Sequence, residues 1–229
     1  MKVGGIFGGK FRSDGRIFVK ICGITNEPDA DAAIEAGADA LGFNLVPQSK
    51  RWIDIEKAAS WISKLPQETC KVAVMTDPNW EDACRITQLA FIDALQLHGN
   101  ESPEFCRRLA DAGIPFAKAV PVTASKSLAG LPNYFTDTMI LDSSAGGIFG
   151  GTGKPFPWKF APEFVRHHPR ITVILAGGLN AENVSKAIAA VCPHGVDVTT
   201  GVEVSPGQKD HRQLKIFVEA VRSVRPAST

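Results

Sequence analysis

The sequence has little that would place the protein in a membrane, on nucleic acid or around a metal ion. No apolar run approaches the roughly 20 residues that span a bilayer, and the formal net charge of +1 gives no electrostatic argument for nucleic-acid binding. The glycine-rich residues 1–15 lack the apolar segment of a signal peptide. The five cysteines show no C-x-x-C spacing, so we expect reduced thiols in a cytoplasmic protein and no metal site.

Strand-like and helix-like segments alternate along the chain, and no Pro/Ser-rich linker or change of composition interrupts them. Such alternation implies parallel strands. The sequence therefore predicts a single α/β domain, a (β/α)8 TIM barrel over 17–229, preceded by a flexible arm over 1–16. We expect strands at 17–22, 39–45, 72–75, 93–97, 116–120, 138–141, 171–175 and 195–198. We expect helices at 28–36, 55–65, 80–90, 102–112, 124–131, 161–167, 181–191 and 211–224.

The alternative architecture is an open flavodoxin-like or Rossmann sheet. A Rossmann sheet would carry G-x-G-x-x-G after its first strand, whereas this strand is followed by Cys22-Gly23-Ile24-Thr25. Eight strand-helix units in this length also suit a closed barrel better than an open sheet.

Two glycine-flanked segments near the C-terminus predict a phosphate site. Residues 176–180 (AGGLN) follow the seventh expected strand, and residues 199–203 (TTGVE) follow the eighth. Glycine lets backbone N–H groups approach an anion closely, and a helix beginning just after Asn180 would add its positive N-terminal end. Loops after strands seven and eight commonly hold a substrate phosphate in barrel enzymes.

Barrel enzymes carry their chemistry at the C-terminal ends of the strands. Cys22 stands at the end of the first strand, either as a proton acceptor or as a small buried hydrophobic residue. Lys20, two residues earlier, points to the same side of the strand and would favour the thiolate. The alternative is that Lys20 pairs with a carboxylate, for which Asp197 on the eighth strand is the natural partner.

Asp142 ends the sixth strand and is a candidate general acid, with a turn-forming role as the alternative. The glycine-rich residues 146–153 that follow resemble a mobile lid. Arg51, in the loop after the second strand, either clamps a substrate carboxylate or belongs to a solvated basic loop. His98, at the end of the fourth strand, either contacts a ligand or caps backbone groups. Asn44 and Asp77 also stand at strand ends.

Several blocks of sequence together resemble one family, the phosphoribosylanthranilate isomerases of tryptophan biosynthesis. The resemblance runs from about residue 19 to residue 221, in family order and spacing, and the family is a single (β/α)8 barrel. The blocks are KICGIT at 20–25, GADALGF at 37–43, SKRW at 49–52, LQLHG at 95–99, LDS at 141–143, GGTGKPFPW at 150–158, LAGGLNAENV at 175–184 and VDVTTGVEVSPGQKD at 196–210.

The resemblance implies an Amadori rearrangement of N-(5-phosphoribosyl)anthranilate without a cofactor or metal. It implies that Cys22 is the general base, that Asp142 is the general acid and that Arg51 orients the anthranilate group. It further implies a small phosphosugar as the ligand, and it leaves a monomer or a homodimer open. The residues that it places on the phosphate loops are Gly177, Gly178, Thr200 and Gly201.

Two other functions remain as alternatives at this stage. A related barrel isomerase of histidine biosynthesis performs the same rearrangement on a bulkier bisphosphate. It would need a second phosphate loop after strands three and four, and residues 75–78 and 97–100 contain no paired glycine-rich site. A non-catalytic phosphosugar-binding protein would not need both Cys22 and Asp142.

Overall fold

The structure is a computed structural model, which describes residues 16–122, 131–142 and 161–224. Most of the expected N-terminal arm, the expected helix over 124–130, the glycine-rich residues 146–153 and the block at 150–158 lie outside these ranges. Arg16, which we expected in the arm, pairs through its guanidinium with Asp39.

Eight parallel strands close into a barrel in the order β1 to β8, which confirms the expected fold. The first four strands are β1 (Phe18–Cys22), β2 (Ala40–Asn44), β3 (Cys70–Met75) and β4 (Ala94–Leu97). The last four are β5 (Phe116–Pro121), β6 (Thr138–Asp142), β7 (Thr172–Leu175) and β8 (Gly195–Val198). The barrel closes where β1 pairs with β8, with Lys20 opposite Asp197.

Helices follow the strands on the outside of the barrel. They are α1 (Glu27–Glu35), α2 (Ile55–Ile62), α3 (Trp80–Thr87), α4 (Pro103–Asp111), α5 (Ala161–His167), α6 (Val184–Val191) and α7 (His211–Arg222). Five of them begin at a polar side chain that accepts a hydrogen bond from a backbone N–H of the first turn, which is the usual way to satisfy a helix N-terminus. These N-cap residues are Asn26, Asp54, Asn79, Ser102 and Asp210.

Helix α6 begins three residues later than expected, at Val184 rather than at Ala181. The Asn180 side chain accepts hydrogen bonds from the backbone of Glu182 and Asn183 and holds these residues in a turn. Asn side chains stabilise such turns in preference to helix interiors. The helix N-terminus that we expected directly after Asn180 therefore lies three residues further along the chain, after Asn183.

A small hairpin follows β8 and was not expected. Its strands are β9 (Glu203–Ser205) and β10 (Gln208–Lys209), and a short 3-10 helix over Thr200–Val202 precedes it. Pro206 and Gly207 form the turn between them, and Gly207 has a φ of 85°, a conformation that glycine adopts readily. The hairpin lies beside the barrel mouth, because Thr25 Oγ1 donates a hydrogen bond to Gly207 O.

Two apolar clusters form the core, one between the barrel and its helices and one inside the barrel. The inner cluster is built from small and branched side chains, and buried charges lie among the same strands. Lys20, Lys118 and Asp197 are each no more than 6% exposed. A buried charge destabilises the fold unless it is paired. Each of these charges therefore has a partner of opposite charge, Lys20 with Asp197 and Lys118 with Glu101.

Candidate active site

Cys22 lies at the mouth of the barrel beside Lys20, and both side chains lie against Gly42 of β2. A Cβ on Gly42 would come within 2.7 Å of Cys22 Sγ and 2.9 Å of Lys20 Nζ. The thiol and the ammonium therefore occupy the space that a side chain at residue 42 would fill. The structure thus brings Lys20 next to Cys22.

Lys20 also makes the alternative contact, since its Nζ lies 3.0 Å from Asp197 Oδ1 and both side chains are buried. Burial by itself lowers the pKa of Lys20, but the nearby Asp197 carboxylate and the Cys22 thiolate outweigh it and leave that pKa raised. The ammonium is therefore held in its charged form beside the thiol. The two roles weighed for Lys20 are compatible.

Asp142 ends β6 inside the mouth and lies next to His98 at the end of β4. His98 Nε2 is 3.3 Å from Asp142 Oδ2, and the Asp142 side chain is 8% exposed. Asp142 and His98 also act electrostatically on Asp197. Asp197 therefore interacts both with Lys20 of the Lys20–Cys22 pair and with the Asp142–His98 pair, and the two candidate catalytic residues lie at the same mouth of the barrel.

Arg51 reaches the mouth across Gly23, where a Cβ would lie 2.6 Å from Arg51 Cδ. Its guanidinium makes a two-point contact with Glu203: Nε lies 2.8 Å from Oε1 and the terminal NH2 nitrogen lies 2.7 Å from Oε2. The hydrogen bonds that Arg51 donates to Glu203 raise the pKa of Arg51. Arg51 is thus a largely buried, oriented cation, and a solvated basic loop does not describe it.

Glu203 is shared with Lys209, which the same hairpin carries. Lys209 Nζ lies 3.0 Å from Glu203 Oε1 and donates a 2.6 Å hydrogen bond to Cys22 O. Burial raises the pKa of Glu203, but the hydrogen bonds from Arg51 and the charge of Lys209 outweigh it and leave that pKa lowered. Burial lowers the pKa of Lys209. The Glu203 carboxylate therefore connects Arg51 to Lys209, and Lys209 in turn contacts the backbone of Cys22.

The two glycine-flanked loops lie against each other after β7 and β8. Gly177 and Gly178 have φ values of 84° and 64°, and in the described part of the chain their N–H groups donate to no protein acceptor. A Cβ on Gly201 would lie 2.0 Å from Leu179 O, so only glycine allows this approach of the two loops. Thr200 is half-buried at the start of the 3-10 helix. The four residues expected to bind phosphate are brought together.

The side chains of Asn44 and Asp77 accept hydrogen bonds from the backbone of loops at the barrel mouth. The Asn44 side chain accepts a hydrogen bond from Val46 N. The Asp77 side chain accepts one from Asn100 N, and Asp77 N donates to Glu101. These contacts join the loops after β3 and β4 at the barrel mouth.

Sequence reasoning missed the residues that support the site: Glu203, Lys209, Gln96 and the buried pair Glu101–Lys118. Lys118 Nζ lies 2.7 Å from Glu101 Oε2, and Glu101 also accepts from Gly99 N, next to His98. Two signals were available. A lysine inside the apolar strand FAKAV requires a buried partner, and Pro206-Gly207 between Glu203 and Lys209 is a turn sequence that predicts a hairpin.

In the described ranges, no three His, Cys, Asp or Glu side chains lie close enough to form a metal site. Within the same ranges, none of the helices combines the length and the apolar character that crossing a bilayer requires.

Comparison with known proteins is consistent across sequence and structure. A family model described as N-(5'phosphoribosyl)anthranilate (PRA) isomerase matches residues 19–220. The chain is 41% identical over 206 residues to N-(5'-phosphoribosyl)anthranilate isomerase of Acidithiobacillus ferrooxidans, covering 89% of this chain and 97% of that relative.

Solved structures of the same enzyme from Thermotoga maritima are also similar. One matches with a TM-score of 0.82 and 38% identity, over 90% of this chain and 98% of that one. Another, of monomers generated from the dimeric enzyme, matches with a TM-score of 0.77 and 37% identity over the same shares. A further structure of phosphoribosyl anthranilate isomerase contains reduced 1-(o-carboxyphenylamino)-1-deoxyribulose 5-phosphate, with a TM-score of 0.77 and 37% identity over 90% and 98% of the two chains.

Proposed function

The chain belongs to the N-(5'-phosphoribosyl)anthranilate isomerase family of tryptophan biosynthesis, and from this premise we propose that it performs an Amadori rearrangement with the groups described above. The substrate is N-(5-phosphoribosyl)anthranilate and the product is 1-(o-carboxyphenylamino)-1-deoxyribulose 5-phosphate. The observation that carries the proposal is that a thiol lies beside an ammonium at the end of β1, and that a carboxyl at the end of β6 lies beside an imidazole that follows β4.

Asp142 acts first, as the general acid. It donates a proton to the ring oxygen of the ribose as the bond between C1′ and that oxygen breaks. The nitrogen lone pair forms the C1′=N bond, so the ring opens to a protonated Schiff base. A positioned acid of this kind accelerates a reaction by about 10²- to 10⁴-fold.

Cys22 acts second, as the general base. Its thiolate removes the proton from C2′, and the electron pair moves toward the iminium nitrogen to give an enolamine, which tautomerises to the ketose. The Lys20 ammonium stabilises the thiolate electrostatically, which is the reason that an aliphatic residue at that position would not serve.

Arg51 binds the anthranilate carboxylate. Glu203 occupies Nε and one terminal nitrogen of the guanidinium, so the other terminal nitrogen is the donor directed to substrate. A planar, pre-oriented guanidinium suits a carboxylate better than a flexible ammonium. Recognition of the aromatic end is thus assigned to the β2 loop and the hairpin after β8.

The phosphate binds at the other end of the substrate, on the loops after β7 and β8. Gly177 and Gly178 supply backbone N–H groups, and Thr200 and Gly201 supply the facing loop. Binding energy from this remote group holds the reacting carbons near Asp142 and Cys22. His98 contacts Asp142, and we assign it to the acid side of the pocket.

We also propose a cytoplasmic location, since the five cysteines, all within the described residues, form no disulfide, and either a monomer or a homodimer in solution. Light scattering coupled to size-exclusion chromatography decides the oligomeric state.

The activity is tested by mixing the purified protein with freshly prepared N-(5-phosphoribosyl)anthranilate and following the loss of anthranilate fluorescence. We expect turnover with this substrate and none with the bisphosphate substrate of the related histidine-biosynthesis isomerase. Absence of turnover with the first substrate would contradict the proposed function. Turnover of the bisphosphate alone would support the alternative isomerase instead.

A further inference from the structure

Gln96 lies on β4 inside the barrel, two residues before His98. Because side chains alternate along a strand, the two residues point to the same face. Gln96 is 1% exposed, and within the described ranges its Oε1 is the buried side-chain polar atom that lacks a hydrogen-bond partner. Its Nε2 lies 3.4 Å from His98 Nδ1. Leaving a buried polar atom without a partner is destabilising, so a polar residue at this place calls for a role.

The backbone around His98 is fixed from both sides. His98 N donates to Met75 O at 2.8 Å, and Gly99 N donates to the Glu101 carboxylate, which Lys118 neutralises. The imidazole therefore projects from a rigid strand end. The remaining freedom of the ring is the position of its proton, on Nδ1 or on Nε2.

The hydrogen bond made by one ring nitrogen determines the proton on the other. If Gln96 Nε2 donates to His98 Nδ1, the ring proton lies on Nε2, which is 3.3 Å from Asp142 Oδ2. The structure turns the amide nitrogen of Gln96, and not its carbonyl oxygen, toward Nδ1, which makes the amide the donor of this contact.

We propose that Gln96 is a positioning residue that keeps His98 in the Nε2–H tautomer, so that His98 donates to Asp142 and does not take its proton. This inference rests on the proposed role of Asp142 as general acid. The proton that Asp142 delivers to the ribose is then carried by its other carboxylate oxygen. After delivery, the His98 N–H stabilises the carboxylate that remains.

The opposite tautomer would impair the same step. A bare Nε2 would accept the proton of Asp142, and the acid would share it with the imidazole in place of the substrate. Asp197 on β8 acts electrostatically on both members of the pair, and it is itself paired with Lys20 on β1. In the described residues, the group that meets Nδ1 of His98 is the amide of Gln96.

The tautomer is measured directly by long-range ¹H–¹⁵N NMR of the histidine rings in the wild-type protein, with His98 assigned by the loss of its signals in His98→Asn. We expect a protonated Nε2 and an unprotonated Nδ1 at neutral pH. A protonated Nδ1 on a neutral ring would overturn the proposal. The measurement needs no activity, so it remains decisive even if the proposed reaction proves wrong.

Kinetics of Gln96→Met and Gln96→Glu test the consequence. Methionine keeps the volume and removes the donor, and glutamate can only accept, which forces the proton onto Nδ1. We expect kcat to fall by about ten- to a hundredfold in Gln96→Met and further in Gln96→Glu, with KM nearly unchanged; a wrong histidine tautomer in a catalytic triad costs ~10⁴-fold.

Ile174→Met is the matched control, because it changes an apolar side chain inside the same barrel. It should keep the wild-type kcat. A Gln96→Met protein with wild-type kcat would contradict the proposal, and so would a fall in kcat that Ile174→Met reproduces. If neither Gln96 variant folds, the wild-type tautomer alone decides.

Discussion

The two sides of the barrel mouth are built from different interactions. On the β1 and β8 side, charged side chains form close ion pairs. Lys20 pairs with Asp197, and Glu203 pairs with both Arg51 and Lys209. On the β4 and β6 side, Asp142 meets an imidazole that is itself adjacent to an amide. A thiolate base needs fixed positive charge nearby, whereas a carboxylic acid must keep a proton and is better served by a neutral donor. The difference in surroundings matches the difference in proposed role.

The largest expected effect is the loss of either proton-transfer group. Asp142→Asn and Cys22→Ser should each lower kcat by about 10²- to 10⁴-fold, because each variant removes a general acid or base. The measurement is steady-state turnover by anthranilate fluorescence, with Cys70→Ser as a control for a buried thiol at the opposite end of the barrel. Near-wild-type turnover in either variant would show that its assigned role is wrong.

Lys20→Met should weaken the β1 side in two ways. It leaves Asp197 buried without its partner, which costs about 3–5 kcal/mol of unfolding free energy. It also removes the ammonium beside Cys22, so the thiol should react more slowly with an alkylating reagent at neutral pH. Denaturant unfolding and the rate of Cys22 alkylation measure the two effects.

The double variant Lys20→Met/Asp197→Leu separates them. It should recover most of the stability, since an apolar pair replaces an ion pair, but it should not restore the rate of Cys22 alkylation. An unchanged alkylation rate in Lys20→Met would show that Lys20 does not act on Cys22.

Glu203→Gln should change substrate recognition more than chemistry. Arg51 loses its charged two-point partner, and a charge-assisted hydrogen bond is worth about 1.5–3 kcal/mol, so we expect KM to rise by about tenfold with a smaller change in kcat. An analogue that has aniline in place of anthranilate should show the same KM with both proteins. Glu219→Gln, at an exposed position of α7, is the control, and an equal rise in KM for the analogue would contradict the assignment.

The smallest expected effect is on stability at low pH. The pKa of Glu203 is lowered in the folded protein, because contacts with Arg51 and Lys209 outweigh burial. Its stabilising contribution is therefore present above the unfolded value of about 4.3 and is lost as pH falls through the folded value. Thermal unfolding of wild type and Glu203→Gln should differ at pH 7 and converge at low pH. A constant difference would mean that the contribution of Glu203 does not depend on its charge.

Much of the fold was predictable because local patterns encode it. Short apolar strands alternate with amphipathic helices, and caps such as Ser102 and Asp54 mark where helices begin. The start of α6 was mispredicted because Asn180 forms a local turn that competes with the helix. The hairpin over 203–209 was missed because its strands are too short for periodicity to show.

The candidate site was predictable in part. Cys22, His98 and Asp142 stand at strand ends, and strand ends of a parallel barrel meet at one mouth. The partners of these groups come from positions distant in the chain: Glu203 lies 152 residues from Arg51, and Asp197 lies 177 residues from Lys20. No local pattern records such pairs.

The sequence by itself determined the number and order of the barrel strands, the polar residues at their C-terminal ends and the glycines of the loops after β7 and β8, because each depends on neighbouring residues. Only the tertiary structure decided which groups surround each catalytic side chain. Barrel closure places β1 beside β8, and the fold brings His98 to Asp142, so the charge beside the thiol and the imidazole beside the acid exist only once the chain has folded.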